Sequence, residues 1–119
     1  MHNRELTKLI NRKSRLLLEA EMLRHSYERE NEDHKLRFKQ VVSKAAPLEE
    51  KIGDKLAKRG RLFDASINWD SGATCYDSVG MTKEVVRVYK KIVRVAAEHP
   101  GVITERVVEE AKKYISEHS

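Results

Sequence analysis

The chain has 119 residues and a formal net charge of +5, enough length for one domain with a modest core but not for two independent ones. Charged residues make up 36% of it and aromatic residues 6%, a balance typical of helical bundles and coiled coils rather than of β-sandwiches or barrels. A single cysteine, Cys75, excludes an internal disulfide and a cysteine-based zinc site, and no apolar run approaches the length of a membrane span.

The first sixty residues carry a helical pattern with one apolar side. Its apolar arc is formed by Leu6, Leu9, Ile10, Leu16, Leu17 and Ala20. The stripe continues to Tyr27, stops at the polar block 28–35 and resumes at Phe38. Because no glycine or proline lies in residues 1–46, we expect the helix to continue unbroken through the polar block as far as Pro47, with a hairpin folded at the polar block as the alternative.

The next two features are a proline and a change of composition. Pro47 predicts a kink or break in the long helix, followed by a second helical piece that Gly60 ends. Residues 61–81 mix glycines, serines and aspartates with large apolar groups, among them Phe63 and Trp69. This mixture predicts an ordered loop packed against the helices, with Phe63 and Trp69 as its anchors.

The C-terminal third returns to helical spacing. Thr82 and Thr104 are predicted to begin two helices, and the turn at residues 99–101 separates them. A connection this short predicts an antiparallel hairpin over residues 82–119. The sequence therefore predicts an all-α fold in a single domain, residues 1–119, with a basic helical arm (1–60), a loop (61–81) and a hairpin (82–119).

The apolar stripe of the long helix predicts a partner. Two short helices cannot cover all of it, so we expect another protein, or a second copy of this chain, along residues 6–27. The predicted contact residues are Leu9, Leu16, Leu17 and Leu23. The function that this pattern favours is a non-catalytic interaction module: an adaptor, an assembly factor or an inhibitor.

The basic side of the same helix supports an alternative function. Five of the first fifteen residues are basic and one is acidic. A row on one helix face could contact phosphates of a nucleic acid, because its charges follow one another at about 5 to 6 Å. The row consists of Arg4, Lys8, Arg12 and Arg15. No aromatic residue for stacking on bases lies among them.

Catalytic signals are sparse, and we expect no enzyme, cofactor or metal site. There is no phosphate-cradling glycine loop and no nucleophile elbow. The pairs Arg29/His34 and Arg94/His99 match the Arg-x4-His spacing of a class of helical ribonucleases, a spacing that chance also produces in this composition. The isolated thiol and the charges that interrupt the early leucines favour an intracellular, reducing compartment, with the cytoplasm as the expected one.

A short segment near the C-terminus resembles a known family. Val88-Tyr89-Lys90, followed by Ile92 and then by His99 and Pro100, is loosely similar to the motif of the LYR family of small helical mitochondrial adaptors. The resemblance covers about thirty residues, and the leucine and arginine of the motif are valine and lysine here. It implies binding to acyl carrier protein and a role in assembling respiratory or iron-sulfur machinery.

Overall fold

The fold is all-α, with five helices in the part of the chain that the structure, a computed structural model, describes: residues 3–24 and 31–119. The helices are α1 (Asn3–Arg24), α2 (Glu32–Lys58), α3 (Leu62–Ser78), α4 (Thr82–Glu98) and α5 (Glu105–His118). Each extensive helix contact joins two consecutive helices, and the molecule is flat, with extents of 45 × 41 × 19 Å. The predicted all-α class is confirmed.

The N-terminal half is a hairpin of α1 and α2, so the prediction of one unbroken helix is wrong. Three ion pairs show that the two helices run antiparallel: Glu5 to Lys55, Lys13 to Glu49 and Glu19 to Arg37. Folding back allows the apolar faces of both helices to cover each other, which a single extended helix cannot do. Tyr27 and the first part of the polar block lie outside the described residues.

A local signal begins the second helix of this hairpin. Asn31 is the N-cap of α2, and its Oδ1 accepts a hydrogen bond of 2.8 Å from the backbone N–H of Asp33. Glu32 and Asp33 then occupy the first turn, where negative charge is stabilised by the helix dipole. The start of α2 is therefore encoded by adjacent polar residues.

Pro47 does not end a helix, because α2 continues through it. Its side chain is exposed, whereas Ala46 and Glu49 beside it are buried. Tertiary packing on both sides of the proline offsets the backbone hydrogen bond that it cannot donate. The predicted C-terminal cap is in place: Gly60, with φ of 76°, follows α2, and the N–H of Arg61 donates to the carbonyl of Leu56 at 3.0 Å.

The predicted loop 61–81 is wrong, since most of it forms the helix α3. Its buried residues recur every three or four positions: Ala65, Ser66, Trp69, Gly72, Ala73 and Tyr76. Small side chains let α3 lie very close to α2, and that packing outweighs the weak helix propensity of this segment. Trp69 is buried, as predicted, whereas Phe63 is 50% exposed and does not anchor the helix.

The C-terminal helices form the expected pair. Tyr89 in α4 meets Tyr114 in α5 edge to face, with 5.5 Å between ring centroids. Val85, Val88 and Ile92 are fully buried along α4. The end of α5 lies beside the junction of α3 and α4, because the hydroxyl of Tyr114 donates a hydrogen bond of 3.2 Å to Oδ1 of Asp77 in the last turn of α3. The main core contains residues of all five helices.

Candidate functional site

The predicted contact leucines lie between α1 and α2. Leu9 packs against the main core, and Leu16 and Leu23 pack against a smaller cluster around Val41 and Val42. All of them, and Leu17, are half-buried. The expectation that this stripe is left uncovered is wrong, because α2 folds back onto it; a role in binding a partner stays a prediction.

The opposite side of α1 exposes two large aliphatic residues that the sequence analysis did not select. Leu18 is 62% exposed and Met22, one turn later, is 68% exposed. At about 100° per residue they share a side of the helix with Arg4, Lys8 and Arg15. We call these five residues the outer face of α1. A search for apolar residues outside the main stripe would have found Leu18 and Met22.

The four basic residues of the predicted row are solvent-exposed, and contact with phosphate stays a prediction. Arg4, Lys8, Arg12 and Arg15 are all exposed. Within the described residues none of them forms an ion pair, although Lys13 in the same segment is paired with Glu49. Their positive charges therefore face solvent, and no described residue neutralises them by an ion pair.

A buried carboxylate connects α2 to α3 and α4. Glu50 is 8% exposed and accepts hydrogen bonds from Tyr76 (2.9 Å), Lys91 (2.8 Å) and Arg87, whose Nε and Nη2 lie at 3.0 and 2.6 Å. Burial alone would raise the pKa of Glu50, but the bonds from Arg87, Lys91 and Tyr76 outweigh it and lower the pKa to about 2. We call these four residues the Glu50 cluster.

The network extends from this cluster to the tryptophan. Lys91 also donates to Asp54 at 2.8 Å, and Asp54 accepts the indole N–H of Trp69 at 3.0 Å. Burial, followed by the hydrogen bond to Glu50, raises the pKa of Tyr76 to about 12. The Glu50 cluster holds α2, α3 and α4 together, because its ionised carboxylate accepts hydrogen bonds from a neutral phenol and two cations. The cluster provides no acid or base at neutral pH.

The outer side of α4 carries a row of cations that the sequence analysis also missed. A shallow groove of about 390 Å³ lies on it, and its lining contains five basic residues and no carboxylate. We call it the basic groove: Lys83, Val86, Arg87, Lys90, Lys91 and Arg94. The sequence contained a signal for this groove, because basic residues that recur every three or four positions along a predicted helix lie on one face of it.

The other residues that the sequence offered as catalytic or metal-ligating candidates do not form a site. Arg94 donates to the exposed Glu98 at 3.1 Å, and His99 is exposed at the end of α4. Arg29, the other arginine with the ribonuclease spacing, lies outside the described residues. Burial, above all, raises the pKa of Cys75 to about 11, so its thiol is a poor nucleophile. Across residues 3–24 and 31–119, no three metal-ligating side chains are grouped to hold an ion.

The segment that resembles the LYR motif is largely internal. Val88 is fully buried, and Tyr89 is half-buried against Tyr114. Lys90 is the exposed member of the three and belongs to the basic groove. Its apolar positions therefore pack within α4 and α5.

Comparison with known proteins gives no relative. No protein-family model, no curated protein and no solved structure matches the chain. None of the described helices has the length and apolar character needed to cross a bilayer.

Proposed function

We propose that this protein is a non-catalytic interaction module that presents the outer face of α1 to a protein partner. The observation that carries the proposal is the exposure of Leu18 and Met22, at 62% and 68%, one turn apart on the side that α2 does not cover. Adjacent aliphatic side chains at this spacing suit the apolar face of a partner helix. The proposed contact residues therefore lie on the side of α1 opposite the predicted leucine stripe.

The charge of the outer face indicates the chemistry of the partner. Arg4, Lys8 and Arg15 precede Leu18 and Met22 on it, and no described residue pairs with these cations. The face runs from basic to apolar over about 27 Å, the length of roughly five helical turns. The complementary partner is an acidic amphipathic helix of another protein, with carboxylates opposite the cations and aliphatic groups opposite the apolar pair.

Replacing Leu18 and Met22 by serine should weaken this binding at least tenfold, since each change removes an aliphatic anchor worth about 1 kcal/mol or more. The probe is a helical peptide with glutamates and leucines on one face, titrated against the whole chain by fluorescence anisotropy. The matched control replaces Phe63 and Ile67, another exposed pair one turn apart on α3, by serine. The control should bind within twofold of the wild type.

Two outcomes contradict the proposal: absence of peptide binding by the wild type, or equal weakening in both double variants. The mass in solution, recorded alongside, tests whether the occupant is a second copy of the chain instead. In that case a dimer would revert to a single chain on replacing Leu18 and Met22 by serine.

A second candidate function is nucleic-acid binding through the row Arg4, Lys8, Arg12 and Arg15. The observation in its favour is that none of these cations is ion-paired within the described residues. Replacing Arg4, Lys8 and Arg15 by glutamine, the α1 triple variant, should remove up to three interactions with phosphates. The slope of log affinity against log salt would then fall by about 0.9 for each phosphate that the variant no longer neutralises. An unchanged slope would exclude the row as a phosphate-binding surface.

A further inference from the structure

We propose that the basic groove on α4 is a binding site for the phosphodiester backbone of nucleic acid, separate from α1. The groove gathers five cations on one side of a single rigid helix, with no carboxylate in its lining. From Lys83 to Arg94 the row extends for about 16 Å, which spans several consecutive phosphates of one strand. The site does not depend on the outer face of α1.

The cations of the groove fall into two groups with different roles. Arg87 and Lys91 are fixed at its base, because both donate to Glu50, which is buried beneath them. Lys83 and Lys90 form no ion pair with any described residue. Arg94 has only Glu98, and both of these side chains are largely exposed, at 82% and 56%. The groove therefore has a rigid base and three cations that can turn toward a ligand.

The shape and lining of the groove distinguish a polymer backbone from a small ligand. Pockets for small molecules are largely enclosed, whereas this groove is open and five of its six lining residues carry a positive charge. It contains no aromatic ring on which a base could stack, so recognition is of phosphate and is independent of base sequence. Lysine and arginine are the side chains that bind phosphate in this way.

The test compares three variants that each lack three positive charges. The α4 triple variant carries Lys83→Gln, Lys90→Gln and Arg94→Gln, and it keeps Arg87 and Lys91, which the fold needs. The α1 triple variant tests the second candidate function. The control for net charge replaces three exposed lysines of α2 by glutamine: Lys39, Lys44 and Lys58. Circular dichroism should show that each variant retains the helical fold.

Binding is measured on a mixed-sequence DNA duplex and on an RNA duplex of the same sequence, at roughly 50 and 200 mM salt. For the α4 triple variant we expect an affinity at least tenfold below wild type at the lower salt, and a salt slope smaller by about 2 to 3. The control should bind within threefold of the wild type. The affinity of the α1 triple variant independently measures the contribution of the basic row on α1.

Three results would overturn the site on α4. One is absence of duplex binding by the wild type, and another is an α4 triple variant within twofold of the wild type. The third is a control whose affinity falls as far as that of the α4 triple variant, which would indicate net charge without a site. Weakening confined to the α1 triple variant would support the second candidate function while refuting this inference, so the two failures are distinguishable.

Discussion

Replacing Gly53 by alanine should lower the free energy of unfolding by about 2 to 3 kcal/mol, although alanine is the better helix former. A β-carbon at this position would overlap Cδ1 of Trp69 and lie 2.5 Å from its Nε1. The indole is 3% exposed and is held by its hydrogen bond to Asp54, so it cannot move aside without disturbing the packing of α3 on α2. Urea denaturation of the variant and the wild type measures the difference.

A second glycine provides the matched control. Gly60 has a φ of 76°, and an added β-carbon there would have no neighbour within 4 Å. Gly60→Ala should therefore cost about 1 kcal/mol through backbone strain alone. Trp69 is the single tryptophan of the chain, so its fluorescence should shift in the Gly53 variant and stay unchanged in the Gly60 variant. A Gly53→Ala variant with the stability and the tryptophan fluorescence of the wild type would contradict the close approach of α2 and α3.

Replacing Glu50 by glutamine should cost about 2 to 3 kcal/mol, because Arg87 and Lys91 are then left without the negative charge that they share. Removing one partner from a fully buried pair costs about 3 to 5 kcal/mol. The cost is smaller here, since the Arg87 and Lys91 side chains are 50% and 30% exposed and regain water. The control Glu98→Gln breaks a surface pair with Arg94 and should cost less than about 0.5 kcal/mol.

The shifted pKa of Glu50 also makes the free energy of unfolding depend on pH. Its pKa falls from an ordinary value of 4.5 to about 2 in the folded protein, so the unfolded state binds more protons between these values. The contribution, about 3 kcal/mol, is complete above roughly pH 5 and is lost as the pH falls toward 2. Denaturation at several pH values should show this decline in the wild type. A Glu50→Gln variant with the same acid dependence would contradict the assignment.

The sequence predicted the helical class and the last two helices, because their apolar spacing of three and four is a local property. It also contained the start of α2, because the apolar stripe stops at the polar block and Asn31 in that block precedes two acidic residues. Absence of glycine and proline nevertheless favoured a continuous helix. The hairpin depends on the mutual burial of two apolar faces, which no single segment encodes.

The helix α3 shows why amino-acid composition led to the wrong prediction of a loop. Its Gly72 and several small polar residues are typical of turns, yet a β-carbon at Gly72 would lie 3.2 Å from Cβ of Glu49, so the glycine serves close helix packing. Glu50 and Arg87 are 37 residues apart, and their pairing has no local signal. The basic groove, in contrast, lies on one predicted helix, and a scan of charges by helical face would have found it.

The sequential order of the helix packing has a consequence for folding kinetics. Because each helix packs chiefly on the next, most contacts join residues that are near in sequence, and little loop entropy must be given up before they form. Proteins of low contact order fold in microseconds to milliseconds. The Glu50 cluster is an exception, since it joins α2 to α4 across α3. We expect it to form after α2, α3 and α4 have assembled, so its stabilisation should mainly slow unfolding.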